Sequence, residues 1–325
     1  MSEENKIKLG EQLIKCMLDA NLSEKQRLKK LDYIIRLGGD VNARHATGYS
    51  ALEIAKFIGD EKILAVLGEE NGKEIGLDPN MAEEFFKTAS IEDINKFLKI
   101  LPEKHEIYCN VDLSKRDLTE LPDFSRVIVM GDFDCSYNQL TTLNGSPSEI
   151  SGDFSCGRNK LKNLKGGPQI VYGHFVCTCG ELDSLEGAPI MVTNWFNCNG
   201  NKLKNLKGAP ATVGGGFLCQ ENELESLEGA PKKVGGCFSC NKNKLTTLKG
   251  APSEVGDIFD CSYNQLTSLV GAPVSVGGYF NCKQNPLNSL DGKSENIGGG
   301  FWCDGLMDES VSFIGSLKKM FNGGR

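Results

Sequence analysis

Up to about residue 106 the apolar positions fall three and four apart, the spacing of one helix face, in stretches of roughly 5–21, 24–37, 81–89 and 91–101. Beyond that point the period changes. Cysteine returns every 21 residues from Cys135 to Cys303, nine times without a slip, and phenylalanine keeps the same count two places earlier, from Phe133 to Phe301. A leucine pair does so from Leu140/Leu143 to Leu287/Leu290. The unit reads L-x-x-L-x-G-A-P-x-x-V-x-G-x-F-x-C-x-x-N-x. Its proline stands in seven successive copies, Pro147 to Pro273, and its asparagine in seven of eight, Asn138 to Asn285, with Gly180 in the odd place. Such self-similarity predicts stacked coils, each too small to bury its own apolar stripe and each completed by its neighbours.

Every part of the unit has a physical reason. In V-x-G-x-F-x-C alternate residues share a side, which predicts a short strand whose Phe and Cys face a core. The two leucines return the chain over that core. Gly145 and its equivalents permit a sharp bend and the proline forbids helix, so the return arm is expected to be extended. The asparagine amides are expected to form an internal ladder on the turn backbone, because buried loop N–H and C=O groups need partners. A degenerate earlier coil is read at Val111, Leu113, Leu118 and Leu121, with Leu113 in the Cys place.

These residues resemble the leucine-rich repeat family, whose motif is L-x-x-L-x-L-x-x-N/C-x-L. Here G-x-F-x-C-x-x-N-x-L, as in GGFLCQENEL at 215–224, supplies the strand and the asparagine turn. The variant with L-x-G-A-P and V-G-G-x-F-x-C is most similar to repeats of bacteriophage and bacterial proteins. The resemblance covers about 107–305 and implies a parallel β solenoid that works by binding partners. Residues 36–67, RLGGDVNARHATGYSALEIAKFIGDEKILAVL, resemble an ankyrin repeat. Where that family has T-P-L-H this chain has Ser50, Ala51, Leu52 and Glu53, which removes the Thr/His hydrogen-bond pair. The flanking helix pairs complete the roughly three units such a stack needs. Near the C-terminus Val311, Ile314, Leu317, Met320 and Phe321 share one helical face and are expected to cap the repeat core. The expected fold class is α+β: an ankyrin-like helical domain at 1–106, a leucine-rich repeat solenoid of about ten coils at 107–305, and a C-terminal helical cap and tail at 306–325.

Composition narrows the function. At 325 residues, 39% hydrophobic and 24% charged, the chain can bury sizeable cores. A net charge of -7 argues against nucleic acid as partner, since phosphate neutralisation needs a basic face. No stretch approaches the length of a membrane span, and MSEENKIKLGEQ lacks the apolar core of a signal peptide. A soluble cytoplasmic protein is expected, in the host bacterium if phage-encoded. The odd count of 13 cysteines fits a reducing compartment. The nine-cysteine column reads as small buried apolar residues, because a linear column offers zinc two neighbours where it wants four ligands. Cys179 and Cys237 lie off the column and read as surface thiols. No cofactor or metal is expected, and no enzymatic role: H-E-x-x-H and G-x-S-x-G are absent, and Cys177 points away from His174 into the core.

Two surfaces carry the remaining information. On the turn side, charges alternate between coils in three columns: Lys160, Glu181, Lys202, Glu223 and Lys244; Lys162, Asp183, Lys204 and Glu225; and Lys165, Glu186, Lys207, Glu228 and Lys249. Coils stack about 4.8 Å apart, so opposite charges are neighbours worth about 0.2–1 kcal/mol each, a register and solubility device. On the strand side the positions flanking each Phe vary. An acidic end of Asp132, Asp134 and Asp153 gives way to His174, Val176, Trp195, Asn197, Leu218, Ile258, Asp260, Tyr279, Asn281 and Trp302. These thirteen are the expected partner-binding residues, with Trp195, Tyr279 and Trp302 foremost because exposed aromatics concentrate binding energy. The resemblances imply a non-catalytic protein-recognition module: a phage-encoded inhibitor that binds or sequesters a bacterial host protein of antiviral defence through the solenoid strand face. The alternatives are a bacterial effector or adaptor acting on a eukaryotic host protein, and a phage structural or assembly component.

Overall fold

The computed structural model describes residues 3–17, 19, 21–37, 40–42, 50–58, 61–67, 79–101 and 103–304. Six helices precede the repeats: α1 (Glu3–Met17), α2 (Glu24–Arg36), α3 (Ala51–Ile58), α4 (Glu61–Val66), α5 (Pro79–Thr88) and α6 (Ile91–Ile100). Their starts obey local rules. Ser23 caps α2 in a reciprocal pair with Gln26, and the Ser90 hydroxyl accepts the Asp93 N–H at 3.1 Å to open α6. Helix α1 packs on α2 and α3, and α4 packs on α2 and α3. Residues 43–49, which hold the loop of the ankyrin-like unit, lie outside the described residues, as does the expected C-terminal cap at 306–325.

From His105 to Trp302 the chain winds into a parallel β solenoid. Each coil gives one short strand to each of two ten-stranded parallel sheets. Sheet one runs from His105–Ile107 to Asn296–Ile297, and sheet two from Val111–Asp112 to Phe301–Trp302. This corrects the single strand expected over V-x-G-x-F-x-C. The chain bends between Val and Phe, so Ile150 belongs to one sheet and Phe154 to the other. The glycines there are the physical cause. A Cβ built on Gly235 would overlap the Gly214 carbonyl oxygen, and one on Gly256 the Gly235 oxygen, so the corner closes only without side chains.

The interior follows the periodicity. Phe, Cys, Val and both Leu columns are buried from coil to coil, and phenyl rings stack along the axis, 5.1 Å apart between Phe154 and Phe175 and 5.2 Å between Phe175 and Phe196. The asparagine ladder forms as expected: Asn222 Nδ2 donates to the Cys198 and Cys219 carbonyls at 3.0 and 3.2 Å, while its Oδ1 accepts the Leu203 N–H at 3.1 Å. Outside, the alternating charges pair between coils, Lys244 with Glu223 at 2.8 Å and Lys165 with Glu186 at 2.9 Å.

The two ends of the stack differ. At the N-terminal end α5 and α6 cover it, with Phe86 5.6 Å from Phe124 and Phe124 5.1 Å from Phe133, so the ring column continues into the helices. The Arg116 guanidinium reaches up to the α5 C-terminus, donating to the Phe86 carbonyl at 2.9 Å and to that of Ala89. At the other end Ile297, Phe301 and Cys303 are half-buried members of the last described coil.

Candidate functional site

The thirteen expected binding residues do stand on the outward side of sheet two and its leading corner, but most already serve the backbone. The N–H just before each Phe points outward with no ladder partner, and in the first coils a side chain of the preceding coil accepts it. Asn110 Oδ1 takes the Asp132 N–H at 2.8 Å, Asp132 Oδ1 that of Asp153 at 2.8 Å, Asp153 Oδ1 that of His174 at 2.7 Å, and His174 Nδ1 that of Trp195 at 3.3 Å. The acidic end is therefore a second internal ladder, and its last bond assigns His174 the tautomer with Nδ1 unprotonated. In the column after each Phe, Asp134, Asn197, Asp260 and Asn281 accept the N–H two residues on in their own loops, at 2.8, 3.1, 2.9 and 3.2 Å. These are Asx turns that shape the bend into the asparagine position.

The aromatics have local seats as well. The Trp195 indole lies over Gly216, where a built Cβ would meet Cε3 at 2.8 Å, and is still 38% exposed. Tyr279 lies over Gly300 and stacks on Trp302, ring centroids 4.9 Å apart and 27° inclined, with both rings more than two-fifths exposed. In each case a large ring is followed one coil later by a glycine that makes room for it. That pairing was legible in the sequence as Trp195 with Gly216 and Tyr279 with Gly300. Val176, Leu218 and Ile258 are half-exposed and carry no polar duty. Val176 and Leu218 flank Asn197 in register on sheet two. Thus one free apolar run centres on Trp195, Val176 and Leu218, and an aromatic pair stands at the far end. Nothing described bridges the two into one pocket.

The thiols offer little chemistry. All thirteen cysteines are free. Burial pushes the column thiols from Cys135 to Cys282 well above the ordinary value, and Cys109 up to about 12. Several donate along the stack, Cys198 to the Leu218 carbonyl and Cys219 to that of Ser239, both at 3.3 Å. Sequence reasoning missed one spacing, C-x-x-C at Cys237 and Cys240. Cys237 turns outward to Asp257 Oδ2 at 3.3 Å while Cys240 is fully buried, so the two thiols sit on opposite sides of the strand. Among the described residues no group of three or more His, Cys, Asp or Glu is placed to hold a metal ion. No described helix is long and apolar enough to cross a membrane.

Sequence reasoning also overlooked the sheet-one side. At the third position before Phe, the early coils carry Met130, Ser151, Tyr172 and Thr193. The later ones carry only glycine: Gly214, Gly235, Gly256, Gly277 and Gly298. All five glycines are exposed, and Gly235, Gly256, Gly277 and Gly298 floor a shallow trough between the side chains of Lys233, Glu254 and Ser275. The signal was present as an unbroken glycine column, but glycine read singly says only that the chain can bend.

No family model matches this chain, and no curated protein does. Among solved structures it is similar to YopM from Yersinia enterocolitica WA-314, at 19% identity over 70% of this chain, with a TM-score of 0.37. The chain spans about half that one, covering 52% of its length. What the geometry shows is a parallel β solenoid of 21-residue leucine-rich coils.

Proposed function

We propose that this chain is a non-catalytic protein-recognition module, and that the outward side of sheet two, from His174 to Trp302, meets the partner. One observation carries the reading. On a scaffold whose buried columns repeat almost without change, large aromatic side chains stand exposed on the variable columns: Trp195, two residues before the Asn197 that half-exposed Val176 and Leu218 flank, and the Tyr279–Trp302 stack. Rigid strands hold them in fixed register, so little conformational entropy is lost when they are covered. Asp132, Asp134 and Asp153 leave the list of primary contacts, because their oxygens hold backbone N–H groups.

The narrower form of the proposal rests on the resemblance of the G-A-P coil to bacteriophage and bacterial repeats. It is a phage-encoded inhibitor acting in the bacterial cytoplasm, which occupies or sequesters a host defence protein. The rival forms, an effector acting on a eukaryotic host protein and a phage assembly component, use the same surface and differ in the partner. Capture from bacterial and from eukaryotic lysates separates them. A stoichiometric partner retained by Lys202→Ala and lost from Trp195→Ala or Tyr279→Ala supports the assignment. Equal capture by all three variants removes the sheet-two side from the interface.

A further inference from the structure

The sheet-one side has a property that a partner-recognition role does not need: it is bulky in one half and empty in the other along the same column. At the third position before Phe, Met130 and Tyr172 protrude, 39% and 44% exposed, while Gly235, Gly256 and Gly277 floor a trough of about 610 Å³. The boundary falls between Thr193 and Gly214. We propose that this side is a two-fold interface between two copies of this chain, with the axis crossing the coil of Thr193.

Symmetry makes the fit testable residue by residue. An in-plane two-fold axis perpendicular to the stack sets each column against itself with the coil order reversed. Tyr172, one coil before Thr193, then meets Gly214 of the second copy, one coil after it. Met130, three coils before, meets Gly256, three coils after. Two coils out, Ser151 meets Gly235, and in the neighbouring column Glu149 meets Lys233. Knobs therefore face glycine floor, and a carboxylate faces an ammonium. Lys233 already pairs with Glu254 at 2.7 Å on the exposed surface, and a second carboxylate completes a short charge network. Seven coils spaced about 4.8 Å, each presenting about five residues of strand and corner, cover roughly 34 Å by 17 Å in each copy. Over two copies that is on the order of 1,100–1,200 Å², the lower end of specific interfaces, which matches a micromolar dimer. The glycines also answer a steric need inside each copy, since a Cβ on Gly235 would strike the coil before it. The same feature keeps the floor open for the other copy's side chains.

The test is sedimentation velocity on the full purified chain from about 1 to 100 µM. The mass is expected to rise from 35.4 kDa toward twice that value. Glu149→Lys alone and Lys233→Glu alone each weaken the dimer at least about tenfold, and the double exchange Glu149→Lys/Lys233→Glu restores it. Tyr172→Ala loses it. All three positions carry exposed or half-exposed side chains, and unchanged far-UV circular dichroism certifies the folding of the variants. A monomer throughout the range overturns the proposal. So does a dimer indifferent to both single exchanges, the result expected if copies met end to end through the last coil, or a double exchange that stays weak. None of these outcomes depends on the sheet-two partner surface.

Discussion

Gly180 stands where the asparagine ladder has its one gap, and Gly180→Asn is expected to stabilise the protein. Elsewhere each ladder asparagine links at least three groups on two neighbouring coils. Asn201, for example, gives Nδ2 to the Cys177 and Cys198 carbonyls at 2.9 and 3.0 Å and takes the Leu182 N–H at 3.2 Å. At residue 180 those links are missing. Leu161 is 3% exposed, and its N–H, whose counterparts at Leu140 and Leu203 bond to the next asparagine at 3.0 and 3.1 Å, has no acceptor among the described residues. The Cys156 and Cys177 carbonyls each receive one amide, from Asn159 at 3.0 Å and Asn201 at 2.9 Å, where Cys198 receives two. A buried orphan N–H costs about 1–3 kcal/mol, and each of the two added donations contributes about 0.5–1.5 kcal/mol. Replacing glycine where φ is ordinary adds about 0.4–1 kcal/mol through the unfolded chain. Against this stand the lost freedom of the new side chain and a tight approach, since a Cβ at 180 lies 3.0 Å from Asn201 Oδ1. The balance is a gain of about 2 kcal/mol. Urea unfolding reads the gain, and amide hydrogen exchange at Leu161 locates it. Gly180→Ala is the control, because it shares the backbone effect and lacks the amide. An Asn variant no more stable than Ala, with Leu161 exchange unslowed, refutes the hydrogen-bond reasoning.

Three further expectations follow from the same geometry. Asp153→Ala strands the His174 N–H that its carboxylate holds at 2.7 Å and should cost about 1–2 kcal/mol in urea unfolding; a loss of partner binding with stability intact would return Asp153 to the interface. Burial holds the His105 pKa below its ordinary 6.5, so the unfolded chain binds the proton more readily and stability should fall as pH drops below about 6.5. His105→Gln should remove that share of the loss, and identical urea midpoints for wild type and variant between pH 7.5 and 5.5 would contradict it. In a native thiol titration with Ellman's reagent near pH 8, exposed Cys179 should react first and alone, ahead of half-buried Cys237 and Cys303, and Cys179→Ser should abolish the fast phase; rapid modification of the column thiols would mean that the stack opens readily.

The solenoid was legible in the sequence because its determinants are local and periodic. A residue that returns every 21 positions meets its own copies in the stack, so the burial of Phe154 against Phe175 and the ladder of Asn201 and Asn222 could be read without coordinates. The split of the predicted strand could not. It depends on Gly235 approaching the Gly214 oxygen, a contact between coils that glycine's permissiveness does not specify. The helical α5 and α6 were legible from the 3.6-residue period, but their seat on Phe124 and Arg116 was not, because those residues interrupt no pattern.

The candidate site was legible as a surface, but the backbone duties of its polar residues were not, for one physical reason. A strand face exposes side chains, but the corner beside it also exposes backbone N–H groups, and variable polar residues are the cheapest means of satisfying them. Asp132, Asp153 and His174 vary in type yet all place an acceptor atom on the next coil's N–H. Variation there reflects interchangeable acceptors. After Trp195 the column turns to Gly216, which has no side chain to accept with and interrupts the ladder; the Cys237 sulfur still takes the Ile258 N–H, and Ile258 itself offers no acceptor. The residues left for a partner are therefore those that neither accept a backbone N–H nor fill a coil: Val176, Leu218, Ile258 and the open faces of Trp195, Tyr279 and Trp302. That set is apolar, and it confines the proposed recognition surface to the middle and far coils, away from the acidic end.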